Sequence, residues 1–293
     1  MMVSVDHNGI ECVALESGPL RVLVTRSVGP RILSLEADGS GNLFAELPDH
    51  KLDYPGEGDF HLYGGHRLWV APEDPTTTYR PDDDPVVITS VEDGLNVVQS
   101  ADPETGLQKS LRIRILESRV DIDHTVTNLG TQPVECAPWA ITQMAPGGSG
   151  YLPLPTGIAD GSPFLPNRSL VLWHYTDVDS PYLELSNDQV RIDTGAVEAP
   201  LKIGAPNPVG WLAYWREGTI FAKWAAYDAQ AAYFDLGASS QCFANQDFLE
   251  LETLGPRVNL APQAAVTHGE SWQIVTDVPR PMNRADLEKV LGV

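Results

Sequence analysis

Apolar and polar residues alternate along most of this chain with a period of two, and the alternation comes in short runs. Leu20–Thr25, Arg31–Ala37, Val86–Val91, Leu95–Ala101, Leu107–Leu116, Val120–Asn128, Trp211–Trp215, Thr219–Ala225, Phe248–Leu254 and Ser271–Thr276 all read as strands. Gly, Pro, Asn and Asp separate them, and Glu92-Asp93-Gly94 and Arg216-Glu217-Gly218 have the composition of hairpin turns. Helical periodicity is confined to the tail. There Asn283 can cap a short segment over residues 283–292, with Leu287, Val290 and Leu291 on one side. Many short strands at regular spacing predict an all-β protein with large antiparallel sheets and few short helices. No linker, charge block or repeat divides residues 1–293, which are expected to form one domain. The Pro/Gly-rich stretch Pro146–Pro166 reads as a long functional loop over it.

Side chains alternate faces along a strand, so in Phe248–Leu254 the residues Phe248, Glu250, Glu252 and Leu254 share one face. Two carboxylates beside two large apolar groups suit proton transfer near neutral pH, because apolar surroundings raise a carboxyl pKa. The alternative is an edge strand with two solvated glutamates. In Val120–Asn128 the same alternation sends His124 to the apolar face, toward the interior of the sandwich, where a histidine is more often hydrogen-bonded than catalytic. Phe60-His61-Leu62-Tyr63-Gly64-Gly65-His66-Arg67-Leu68-Trp69 gathers paired glycines, histidines, an arginine and a tryptophan, with Glu73 and Tyr79-Arg80 close behind. Sugars are held by this vocabulary: an aromatic face for the C–H side of the ring and fixed donors for the hydroxyls. The competing reading is a plain hairpin with a buried Trp.

Charge narrows the partners. Across 293 residues, 40 acidic side chains against 19 basic ones leave a formal charge of −21, which repels nucleic acid and anionic membrane surfaces. No signal peptide or membrane span is visible, so a cytoplasmic location is expected. Cys12, Cys136 and Cys242 are isolated and form no disulfide or metal motif. His61 and His66, with Asp59 and Glu73 near, lack the spacing of a metal site, and no cofactor motif is present. Asp82-Asp83-Asp84 reads as a solvated loop. The sequence carries no sign of oligomeric state.

Three segments, in order, resemble the galactose-mutarotase-like (aldose 1-epimerase) superfamily across roughly residues 20–277. They are Tyr63-Gly-Gly-His-Arg-Leu-Trp-Val-Ala-Pro72, Val126-Thr-Asn-Leu-Gly-Thr-Gln-Pro133 with Trp139-Ala-Ile-Thr-Gln143, and Glu250-Leu-Glu-Thr-Leu-Gly-Pro-Arg-Val-Asn-Leu-Ala-Pro followed by His268-Gly-Glu-Ser-Trp272. The resemblance is nearest to an uncharacterised branch of that superfamily. It implies a β-supersandwich whose concave face binds a small carbohydrate, without a cofactor. Glu252 falls where the family's glutamate takes the anomeric hydroxyl proton. The family's histidine would lie in Trp139–Gln143, where this chain has none, which leaves His66 or His124 to supply the acid. With Glu252 and His66 as the acid–base pair, Arg67, Trp69, Glu73, His124, Gln143, Lys223 and Glu250 are the expected sugar-binding residues. A binding protein without the chemistry, or a glycoside hydrolase or lyase using two carboxylates, are the other readings.

Overall fold

The computed structural model describes residues 3–37, 39–54, 58–158, 162–195 and 197–293. Among these, two large sheets dominate, and every strand pairing in them is antiparallel. The first runs edge to edge through Val3–His7, Ile10–Ser17, Leu20–Thr25, Arg31–Ala37, His66–Ala71, Val134–Met144, Leu249–Leu254, Ser240–Ala244, Leu201–Ala205 and Val171–Leu172. Val258–Leu260 pairs with the start of Val134–Met144. The second runs through Leu183–Leu185, Gln189–Asp193, Ser149–Pro153, Trp211–Arg216, Thr219–Ala225, Ala265–Val275, Arg119–Asn128, Leu107–Leu116, Gly94–Val98 and Val87–Val91. A hairpin of Glu46–Tyr54 and Gly58–Gly64 forms a third, two-stranded sheet. This is the all-β, antiparallel architecture that the alternating pattern predicts.

The two large sheets pack face to face, and their facing side chains make the core. Ile32, Leu68, Met144 and Leu251 from the first meet Leu111, Ile122, Leu212, Phe221 and Trp272 from the second. Strands of the second sheet keep a clean alternation of buried and part-exposed positions, as in Arg119–Asn128, because one face is wet. The central strands of the first sheet are buried at nearly every position. Their second face is covered too: Phe60 and Leu62 of the small hairpin pack with Trp69, Tyr79, Ala137, Trp139 and Ile141.

Gly64 and Gly65 turn the chain from that hairpin into His66–Ala71. Both have positive φ, and a Cβ on Gly65 would lie 2.2 Å from the Ile32 carbonyl oxygen. Arg31 pins the hairpin from the sheet side, donating to the carbonyls of His61 and Leu62 and to Asp82 at 2.8 Å. Asp82 is therefore buried in an ion pair, not solvated as the sequence suggests. The tail helix spans Arg284–Leu291, with the Asn283 side chain accepting from the Asp286 amide. Pro146–Pro166 is only partly a loop, since Ser149–Pro153 is an interior strand of the second sheet; residues 159–161 lie outside the described ones.

Candidate functional site

Paired residues on adjacent antiparallel strands share a face, so register places the site. Arg67 lies opposite Ile141, which lies opposite Glu252, which lies opposite Gln241. The next rows are Trp69–Trp139–Leu254 and Gln143–Glu250–Phe243–Lys202. All eleven project from the face of the first sheet that turns away from the second. Leu249–Leu254 has a neighbouring strand on each side, so the edge-strand alternative is excluded.

A cleft of about 150 Å³ opens on this face. Trp69, Tyr79, Trp139, Tyr175, Phe243 and Phe248 wall it, and Arg67, Glu73, Lys202 and Glu250 bring the charge. Arg67 donates to Glu250 at 2.9 Å with its guanidinium 4.1 Å from the Trp69 ring centroid. Tyr79 donates to Glu73 at the rim. Lys202 donates to Glu252 Oε2 at 2.9 Å, and its ammonium sits 4.7 Å from the Trp139 ring and 4.8 Å from that of Trp173. The indole N–H of Trp139 donates to the same Oε2 at 2.9 Å.

Glu252 is fully buried, and its second oxygen, Oε1, has no hydrogen-bond partner. Burial lifts its pKa to about 7; Lys202 pulls it down, and the neighbouring Glu250 pushes it up. Burial also raises the Tyr175 hydroxyl, reinforced by Glu252, Glu73 and Glu250. Further polar atoms on this face are buried without partners: Arg67 Nε and Nη1, Trp69 Nε1 and both amide atoms of Gln143.

Of the residues singled out from the sequence, Arg67, Trp69, Glu73 and Glu250 line the cleft, Glu252 is buried behind its Lys202 and Trp139, and Gln143 shares the face. His66, His124 and Lys223 do not join them. The expectation that His66 converges with Arg67, Trp69 and Glu252 is corrected by strand alternation: His66 is one residue from Arg67 and so points the other way, between the sheets. There it meets His124, Nε2 to Nε2 at 2.7 Å, and its Nδ1 lies 2.9 Å from Thr142 Oγ1. Lys223 reaches across from the second sheet to Glu270 at 2.8 Å, to Thr142 and to the carbonyls of Ala140 and Leu251.

One arrangement of protons satisfies this buried network. Lys223 donates to Thr142, Thr142 to His66 Nδ1, His66 Nε2 to His124 Nε2, and His124 Nδ1 to the His268 carbonyl. His268 Nε2 donates to Thr253, which donates to Glu270, while Trp272 donates to the other Glu270 oxygen. All three histidines are then neutral, in line with the lowering of their pKa values by burial, His268 to about 4. Burial alone would raise the Glu270 carboxyl, but Lys223 holds it below the ordinary value. Donor atoms of His66, His124 and Glu270 lie within 4.8 Å of one another, a grouping a metal ion can use. Here, however, the groups are engaged with one another and with Lys223, Thr253 and Trp272. His61 stands apart, bonded to Asp83 at 2.9 Å.

Lys202 and Tyr175 went unseen in the sequence. Lys202 sits in Leu201–Ala205, five residues between two prolines, with Lys at a position whose cross-strand partner is Phe243. The run is short, but its alternation is readable.

No family model matches the chain, and no curated protein does. Solved structures do. A candidate aldose 1-epimerase from Klebsiella pneumoniae superposes with a TM-score of 0.62 at 11% identity, covering 97% of this chain and 84% of its own. A galactose mutarotase-like protein from Lactobacillus casei gives 0.55 at 10% identity, covering 90% and 100%. A candidate aldose 1-epimerase from Escherichia coli K12 gives 0.51 at 12% identity, covering 94% and 100%. The chain thus has the galactose-mutarotase-like β-supersandwich fold.

Proposed function

We propose that the cleft binds a small carbohydrate and that Glu252 serves as the base that interconverts its anomers, an aldose 1-epimerase-like isomerisation. Glu252 carries this reading: a carboxyl held near pKa 7 with one oxygen unengaged, buried directly behind Lys202 and Trp139 of an aromatic-walled cleft. Near neutral pH such a group is ionised in a large fraction of molecules, yet basic enough to accept a hydroxyl proton. The part-exposed rings of Tyr175 and Phe243 in the cleft wall suit the apolar side of a pyranose, and Arg67 and Trp69 retain unpaired donors for its hydroxyls. The superfamily fold of the solved structures, two of them described as candidate aldose 1-epimerases, supports the same substrate class.

A binding protein of the same fold is the second reading. It is favoured by the absence of histidine from Trp139–Gln143 and by the placement of His66 on the opposite face. Polarimetry of freshly dissolved α-glucose and α-galactose separates the two. Acceleration over the buffer rate supports the isomerase. A rise in melting temperature with sugar and no acceleration would move the assignment to binding.

A further inference from the structure

We propose that Lys202 is the general acid of this cleft and delivers the proton that the ring oxygen needs when the pyranose opens. The proposal rests on the isomerase reading above. O1 and O5 of a pyranose hang from the same carbon, so the base that serves one and the acid that serves the other must be close neighbours. Among the described residues, Lys202 is the one cleft-lining proton donor that carries a positive charge and touches Glu252 directly, at 2.9 Å. Its side chain is about 5% exposed, held between Glu252 and the rings of Trp139 and Trp173.

The other candidates fall away on geometry and chemistry. His66, His124 and His268 are behind the sheet, in their own network. Arg67 does not give up a proton in proteins. Tyr175, its hydroxyl raised by burial and by three carboxylates, holds its proton more tightly than an ordinary tyrosine. His50 also lines the cleft, but it faces Asp247 at 4.0 Å and packs on Phe248, whereas Lys202 is bonded to Glu252 itself.

The step balances. Glu252 takes the proton of the O1 hydroxyl as C1=O1 forms and the C1–O5 bond breaks. The bonding pair goes to O5, which takes a proton from Lys202 Nζ. The open aldehyde turns about C1–C2 and closes by the reverse transfers, restoring carboxylate and ammonium.

The test is the mutarotation rate of the full chain and its variants. Lys202→Arg keeps the charge beside Glu252 but cannot act as acid, so it should fall about 10²-fold or more. It should still show the sugar-induced rise in melting temperature. Lys202→Cys alkylated to the thioether analogue of lysine should recover rate, because it restores an ammonium with a proton to give. His50→Gln should lose far less rate than Lys202→Arg. Lys202→Arg at the wild-type rate, or His50→Gln losing as much rate as Lys202→Arg, overturns the assignment while leaving the isomerase intact. A wild-type protein that binds sugar without accelerating mutarotation overturns both.

Discussion

Glu250 and Glu252 are two residues apart on one strand, share a face and each hold a cation, yet they differ in what surrounds them. Glu250 lies in the cleft wall with Arg67 as partner; Glu252 is fully enclosed, with a pKa near 7 and a free oxygen. If Glu252 is the base, Glu252→Gln should lower the mutarotation rate about 10²-fold or more, and Glu250→Gln should act mainly through sugar affinity. Equal losses in rate from both would undo the distinction. The shared face of these glutamates was legible because period-two alternation is a local property. Parity also reveals an inconsistency that local reading overlooked: His66 and Arg67 are adjacent in a strand and cannot both face one cleft. Lys202 was invisible as a partner of Glu252 for a different reason. Their contact passes through Ser240–Ala244, the strand between them, and sequence does not encode which strands become neighbours.

At the scale of elements, the strand from His66 to Ala71 owes its place to the turn that precedes it. Gly65 has a φ of 69°, and the carbonyl of Ile32 occupies the space a side chain needs. Gly65→Ala should cost about 1–3 kcal/mol or more and lower the melting temperature, since strain there shifts the strand carrying Arg67 and Trp69. Unchanged stability would mean that the turn tolerates a side chain. The interface between the sheets makes a second prediction. His66, His124 and His268 are buried neutral, so below about pH 6.5 the unfolded chain takes up protons that the folded chain refuses. Stability from this source is present above that pH and lost as pH falls. Glu252 works the opposite way: its raised pKa lets the folded chain take up a proton earlier on acidification, so its contribution is full below about 4.5 and lost as pH rises through about 7. Three refusals outweigh one uptake, so the melting temperature should drop between pH 6.5 and 4.5, more steeply in Glu252→Gln. A flat or rising profile over that range counts against the neutral histidine network. The sequence showed only that His124 faces inward. The network needed the register of Arg119–Asn128 with Ala265–Val275 and the stacking of two sheets.

At the scale of the whole molecule, chain order and sheet order are interleaved. The first sheet draws on segments from Val3 to Leu260 and the second on segments from Val87 to Val275, so no single cut separates them. Unfolding should therefore be one cooperative transition, with calorimetric and van't Hoff enthalpies equal; two resolved transitions would divide the chain into independent units. Over this architecture lies a charge of −21. Compact folding brings those charges together, and their mutual repulsion weakens as salt shortens the Debye length from about 30 Å at ~0.01 M to about 8 Å at ~0.15 M. Salt also screens attractive pairs, but the strongest here, Arg31–Asp82, Arg67–Glu250, Lys202–Glu252 and Lys223–Glu270, are buried and little affected. Exposed pairs such as Lys51–Asp59 contribute little in the first place. Repulsion should dominate the response, and the melting temperature at pH 7.5 should rise with sodium chloride over that range. A fall would show that surface attractions, rather than the net charge, govern the electrostatics of the folded chain.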